Sequence, residues 1–232
     1  MIFIIAEIGI NWDGDYTLLK KMMENSKKCG CNAVKLQSFG EEEVKNHPEK
    51  NRLLCSVVTS ENVKQIDKIA KDVGIEWFCT PMYSDAVDFL EPYVHRYKIR
   101  EFDGRLLLEN KTSLIIQKVL NTGKELIVSS HISPHNSKYF KNKQIKWLYC
   151  VPKYPCKLKE LDFSNFFNFD GYSNHSIESI APITAAIMGA KIIEIHVTSN
   201  KKENFIDNNI SLDFHELKEV VNQIRLSEEI KK

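Results

Sequence analysis

The sequence predicts an α/β chain folded as a (β/α)8 TIM barrel. Three observations carry that expectation. Eight short apolar runs follow one another, helical patterns separate most of them, and polar residues gather toward the carboxyl ends of the runs. The strand-like runs are 2–9, 33–37, 75–80, 96–100, 125–130, 145–151, 169–173 and 190–197. The helix-like stretches are 15–29, 60–73, 84–92, 112–121, 178–188 and 213–228. Parallel strands need crossovers of this kind. The 232 residues come close to the roughly 250 of a typical barrel, with no repeat and no proline- or glycine-rich linker, so 1–232 reads as one domain.

Taken in order, the strands place polar side chains where apolar ones would be expected. The first carries Glu7 between Ala6 and Ile8. The second carries Lys35 and Gln37, which share a face by the two-residue period. The third ends in Thr80-Pro81, the fourth offers Lys98 and Arg100 on one face, and the fifth ends in Ser129-Ser130. The connections after strands five and six, 131–143 and 156–168, lack helical periodicity and are expected to be irregular. The seventh strand offers Ser173 and His175. The eighth offers Glu194 and His196 on one face, with Ile193, Ile195 and Val197 turned toward the helices. A lone buried charge is costly. Charge on so many strands near their carboxyl ends is therefore expected to serve a site, which is where barrel active sites lie.

His175 and His196 end two strands joined by one helix, so the strands should lie parallel and adjacent. The imidazoles would then emerge about one strand spacing, ~4.8 Å, apart. Two imidazoles there can hold a divalent metal and leave coordination positions open.

Composition excludes some partners. The formal net charge is +1, with lysine and arginine spread along the chain and no basic arm, so no nucleic acid is expected. Six cysteines occur without a CxxC pair, which suits reduced intracellular thiols. The start, MIFIIAEIGI, has no basic region, and Glu7 interrupts its apolar run. No stretch approaches the ~20 apolar residues of a membrane span. The expected location is cytoplasmic, without membrane contact.

The segments IAEIGIN (5–11), AVKLQSF (33–39), FCTP (78–81), YKI (97–99), LYCVPKYP (148–155), GYSNH (171–175), GAKIIEIHVT (189–198) and DNNISL (207–212) stand in one order over nearly the whole chain. In that order and spacing the chain resembles the N-acetylneuraminate (sialic acid) synthase family, which includes the pseudaminate and legionaminate synthases. The resemblance covers the family's catalytic barrel. It implies condensation of phosphoenolpyruvate with the aldehyde of an N-acetylated amino sugar, N-acetylmannosamine-like, to give a nonulosonic acid and phosphate. It also implies a divalent metal cofactor, Mn2+ or Mg2+. By resemblance, His175 and His196 are the metal ligands and Glu7 the acidic residue beside the reacting groups. Lys35, Thr80, Lys98, Ser129 and Ser173 match phosphoenolpyruvate contacts, while Gln37, Asp103, Tyr154 and Asp207 match positions on the sugar side.

The chain departs from the family pattern in four places. Typical members continue into a small antifreeze-like domain that the 232 residues do not contain, so a separate chain supplying it, and a homodimer, are open partner expectations. The usual asparagine-histidine pair after strand one reads Asn11-Trp12. The segment after Lys98 reads KIREFD, where alternation turns Glu101 outward and Arg100 toward the phosphate neighbourhood. Pro152 stands where an asparagine is common and cannot replace its side chain. Two other readings remain open from sequence. One is a degenerate barrel that binds a sugar or a partner without turnover. The other is a Schiff-base aldolase using Lys98 or Lys35 as the amine.

Overall fold

The computed structural model describes residues 1–230. Eight parallel strands close into a barrel in sequence order, β1 neighbouring both β2 and β8. They are β1 (Phe3–Gly9), β2 (Ala33–Ser38), β3 (Glu76–Pro81), β4 (Arg96–Ile99), β5 (Glu125–Ser130), β6 (Ile145–Tyr149), β7 (Gly171–Asn174) and β8 (Ile192–His196). All eight predicted strands are present. The crossover helices are α1 (Tyr16–Cys29), α4 (Val63–Val73), α5 (Ser84–Leu90), α7 (Leu114–Asn121), α8 (Ile180–Ile187) and α9 (Phe214–Ile230). Two short helices, α2 (Glu41–Val44) and α3 (Lys50–Cys55), fold into the loop after β2. After β5 and β6 the chain makes only 3-10 turns, Pro134–Asn136, Leu158–Glu160 and Phe166–Asn168, which agrees with the missing periodicity.

A third helix outside the predicted stretches, after α2 and α3, bears on the cavity. α6 (Glu101–Leu108) starts directly after β4, with Arg100 as an extended N-cap residue. β4 therefore ends at Ile99, and strand alternation no longer governs residues 100 and 101. Gly104 permits this arrangement. A Cβ there would meet Val128 Cγ1 at 2.6 Å and the Ser129 carbonyl at 3.0 Å, so α6 rests directly on β5.

Local chemistry starts and stops the helices where expected. The Asp15 side chain accepts from the amides of Thr17 and Leu18 to cap α1, and Gly30 ends it at φ 95°. The outward strand residues form one apolar core with the helices, including Ile4, Val34, Tyr97, Val128, Trp147, Ile193 and Ile195, each at most 1% exposed. A satellite cluster of Ile10, Phe39, Leu53 and Val57, joined by Met82 and Ile206, pins the loop after β2. Among the described residues no helix is long and apolar enough to cross a membrane.

Register decides which polar side chains meet. Glu7 stands opposite Lys35 on one side and His196 on the other, and Ser173 stands opposite Glu194. The wall leaves no room for a side chain at Gly171, whose register partner is Ile192. A Cβ on Gly171 would lie 1.8 Å from the Ile192 carbonyl oxygen. Gly171→Ala is therefore expected to lose at least the ~1–3 kcal/mol typical of overpacking, read as a lowered urea midpoint with the m-value retained.

Candidate active site

At the carboxyl end of the strands lies a cavity of about 350 Å³. Glu7, Lys35, Gln37, Thr80, Lys98, Ser129, Tyr154, Ser173, His175, His196 and Asp207 all line it. These are eleven of the twelve residues expected there. The exception is Asp103, which sits on α6 and meets the cavity through its ion pair with Arg100.

The floor is a buried charge network. Lys35 Nζ lies 2.8 Å from Glu7 Oε1 and 3.9 Å from Glu194 Oε2, and it donates to Thr80 Oγ1 at 3.2 Å. Lys98 Nζ donates to Ser129 Oγ at 2.7 Å and lies 3.5 Å from Glu194 Oε1. Ser173 Oγ donates to Glu194 Oε1 at 2.7 Å, and Gln37 Nε2 donates to Glu7 Oε1 at 2.9 Å. Each of the two lysines and two glutamates is at most 4% exposed.

The two carboxyls differ in character. Burial pushes Glu7 well above the usual carboxylate range, and the neighbouring Glu194 charge adds to this against the pull of Lys35. Burial acts upward on Glu194 too, but Lys35, Lys98 and the Ser173 hydrogen bond outweigh it and hold the group low. Glu194 is thus the fixed anion between the lysines, and Glu7 the carboxyl that exchanges a proton near neutrality. The lysines diverge as well. Burial lowers both, but Glu194 and Glu7 bring Lys35 back above its ordinary value, while Lys98 stays below.

Above this floor the two histidines converge, with ring centroids 5.4 Å apart. Burial keeps both rings neutral. It lowers His175 to about 4, and it lowers His196 well below the ordinary value with His175 adding to the effect. The Nδ1 of His175 is 2.8 Å from the Val151 carbonyl, which can only accept, so Nδ1 carries the proton and Nε2 presents a lone pair. His196 Nδ1 is buried without a hydrogen-bond partner, 3.8 Å from Asp207 Oδ2. Tyr154 covers the pair, its ring centroid 4.1 Å from that of His175 and 6.0 Å from that of His196.

These features fit a divalent cation. Neutral imidazoles are competent ligands, and a ligating histidine usually donates its other N–H to a carbonyl or carboxylate, as His175 does. Glu7 Oε2 and Glu194 Oε2 join His196 Nδ1 as buried atoms without hydrogen-bond partners. Buried polar atoms are rarely left so, and these three are oxygen and nitrogen atoms of the kind that ligate a divalent cation. Among the described residues no three histidine, cysteine or acidic side chains close into a ready-made metal cage. A cation here would keep coordination positions for other ligands.

Asp207 reaches the site through a loop tied to strand one. Its amide donates to Asn11 Oδ1 at 3.1 Å, and Asn11 Nδ2 donates to the Val197 carbonyl and to Ser211 Oγ. Burial raises the Asp207 carboxyl to about 6, with Lys35 opposing. Gly9, at φ 54°, makes room for this group of side chains. A Cβ there would stand 3.1 Å from both Gln37 Nε2 and Glu7 Oε1.

Two sequence expectations need correction or addition. Glu101 does not face outward. It opens α6, is 6% exposed at its side chain, and lines the cavity. Arg105 holds it through two hydrogen bonds, and His131 Nδ1 binds the same carboxylate. The strand-to-helix turn at Arg100 inverts the alternation that pointed Glu101 away. Glu194, central to the floor, was not among the expected site residues, although it shares a strand face with His196 by the two-residue period. Cys150 also lines the cavity, its Sγ 3.6 Å from His175 Nδ1. Burial pushes its thiol to about 12 against the pull of Lys98, so it stays protonated.

A closed barrel with this polar cavity at its carboxyl end defines the class, a TIM-barrel enzyme. The chain belongs to the NeuB family, whose signature matches residues 22–232. An uncharacterized protein of Methanocaldococcus jannaschii is 31% identical over 246 residues, covering 98% of this chain and 71% of that protein. The pseudaminic acid synthase of Campylobacter jejuni is 28% identical over 257 residues, covering 98% of this chain and 74% of its own length. A crystal structure of the N-acetylneuraminic (sialic) acid synthetase of Leptospira borgpetersenii, in complex with citrate, superposes with a TM-score of 0.85 at 25% identity. It covers 99% of this chain and 85% of that one.

Removing the shared carboxylate strands the buried Lys98, which pairs with Glu194 alone among the described acids, and leaves Lys35 with Glu7 only. Glu194→Leu is expected to cost about 3–5 kcal/mol of unfolding free energy in urea, the usual penalty for breaking a buried ion pair.

Proposed function

We propose that this protein condenses phosphoenolpyruvate with the aldehyde of an N-acetylated amino sugar, giving a nonulosonic acid and phosphate with help from Mn2+ or Mg2+. The observation that carries the reading is the paired neutral imidazoles of His175 and His196 above a floor of two lysines and three hydroxyls. The kinship with the synthases supports it.

The floor suits a phosphorylated carboxylate. Lys35 and Lys98 supply charge, while Thr80, Ser129 and Ser173 supply oriented hydroxyls, and charge-assisted hydrogen bonds of this kind are the strong ones. His175 and His196 would hold the cation, which supplies Lewis-acid polarisation of a carbonyl oxygen when bound. The C3 carbon of phosphoenolpyruvate forms a bond to the aldehyde carbon, and the aldehyde oxygen takes up a proton to become a hydroxyl. Positive character develops at C2, where water adds. Glu7 is placed to take that water's proton, and its raised affinity for protons suits the exchange near neutral pH. The tetrahedral carbon then expels phosphate by breaking its C–O bond. Gln37, Tyr154 and Asp207 line the acceptor side, and Asp103 stands one step behind through Arg100.

Phosphate release from phosphoenolpyruvate, measured with a panel of N-acetylated hexosamines with and without Mn2+, tests the reading. Turnover is expected only with donor, acceptor and metal together, and His196→Ala is expected to lose both metal binding and turnover. Chelation that leaves turnover intact would remove the metal from the proposal. A borohydride-trapped adduct on Lys98 or Lys35 would replace the condensation with Schiff-base chemistry. Phosphoenolpyruvate binding without phosphate release from any acceptor would indicate a binding barrel. Glu7→Gln is expected to lower kcat about 10²–10⁴-fold with little change in phosphoenolpyruvate affinity, checked by steady-state kinetics and calorimetry.

A further inference from the structure

The two histidines of the site are held differently. His175 is gripped by one short segment, the chain that directly follows β6. Its Nδ1 donates to the Val151 carbonyl at 2.8 Å. Cys150 Sγ lies 3.6 Å from Nδ1 and 3.7 Å from Nε2. In the ring plane, a point so nearly equidistant from both nitrogens would collide with ring carbons, so the sulfur sits over the face of the imidazole. The Tyr154 ring packs against the same imidazole at 4.1 Å between centroids, tilted by 33°. The backbone is tied in as well, since the Cys156 amide donates to the His175 carbonyl at 2.8 Å. His196 has less support. Its Nδ1 is buried without a hydrogen-bond partner, and Tyr154 meets it edge-on at 6.0 Å.

The segment that grips His175 is itself stiff. The Val151 carbonyl accepts a second hydrogen bond, from the Lys153 amide at 2.9 Å, which closes a three-residue turn centred on Pro152. A proline ring fixes φ near the value such a turn needs. Pro152, one of the departures from the family pattern, thus aims the carbonyl that orients the imidazole. Cys150 is 1% exposed, and its amide donates to the Ser130 carbonyl of β5 at 3.0 Å, which fixes the start of the segment to the barrel wall. A polarizable sulfur packs favourably on an aromatic ring.

We propose that residues 150–154 form a preset clamp for His175, with Cys150 and Pro152 as positioning residues and His196 left to adjust when a cation binds. This rests on the metal-assisted condensation proposed above. The clamp selects the tautomer with its proton on Nδ1 and keeps the Nε2 lone pair available. A ligand already ordered in the free protein need not be ordered on binding, so the clamp raises metal affinity without touching the metal.

Mn2+ binding, followed by loss of the free-ion EPR signal, is compared for the wild type, Cys150→Ala, Cys150→Ser and Pro152→Ala. Cys150→Ala is expected to raise the Mn2+ Kd about 10–100-fold, the usual effect of removing an orienting partner, and Cys150→Ser to recover part of the loss. Pro152→Ala is expected to raise the Kd in the same direction. Pro152 is exposed, so that variant loosens the clamp without emptying the core. A second readout needs no metal. Long-range proton–nitrogen NMR spectra of the metal-free protein, with the His175 signals identified by their loss in His175→Asn, are expected to show a single Nδ1–H tautomer in the wild type and a mixture in Pro152→Ala. A wild type with mixed His175 tautomers overturns the proposal. So do Cys150→Ala and Pro152→Ala proteins that both keep the wild-type Kd. A wild type that binds no Mn2+ removes the metal from the proposed function, and the tautomers then decide alone. Loss of the Nδ1–H preference in Pro152→Ala upholds the clamp, and its retention rejects it.

Discussion

Two lysines and two glutamates share a space almost closed to water, and the rest of the site is built around their mutual neutralisation. Removing a charge from water is expensive unless partners and hydrogen bonds replace the lost hydration. Here the partners come from four strands. Glu7 from β1 and Lys35 from β2 meet in register, while Lys98 from β4 and Glu194 from β8 meet across the barrel interior. Hydroxyls of Thr80, Ser129 and Ser173 complete the set from β3, β5 and β7. Only a closed barrel brings so many strand ends to one point, so the fold and the charge network depend on each other.

The same network gives two chemically similar acids different behaviour. Glu194, caught between both lysines, remains an anion and balances the floor. Glu7 has the lysine contact but also suffers burial and the nearby Glu194 charge, so it keeps its proton to higher pH. Separation of roles between paired carboxyls is a recurrent way to run proton transfer at neutral pH. The imidazoles next to them are held neutral by burial, which leaves nitrogen lone pairs for a cation rather than positive charge to repel one. The cavity is thus polarised, with cation-seeking groups on the β1, β7 and β8 side and anion-seeking groups toward β4 and β5. That polarity is what the proposed condensation requires, since one reactant brings a phosphate and a carboxylate and the other a carbonyl oxygen.

The mouth follows different rules from the floor. Its groups belong to helix starts and loops, and each is placed by contacts distant in sequence. Glu101 is turned inward by α6 and held by His131 from the loop after β5. Asp207 is delivered by a loop whose backbone hangs on Asn11, 196 positions earlier. Specificity residues on loops over a rigid sheet are the common arrangement, because loops can vary without disturbing the charge-balanced floor.

The strands, their order and most of the floor were legible in the chain itself. A polar residue inside an apolar run can only be tolerated where it faces a site, and the two-residue period assigns that face without knowledge of its neighbours. This reasoning located Glu7, Lys35, Lys98, Ser173, His175 and His196, and the pairing of strands seven and eight followed from a single crossover. It also had the means to include Glu194, on the same face as His196, but could not show that both lysines converge on it. Periodicity failed at residues 100–101, where the strand passes directly into a helix and a different geometry takes over. The position of Asp103 behind Arg100, the contact of Tyr154 with the histidines, and the inward turn of Glu101 were decided by tertiary structure alone. Local sequence sets which way a side chain leaves a regular strand. Only the closed barrel sets which distant side chains share the low-dielectric interior, and hence which carboxyl keeps its proton and which gives it up.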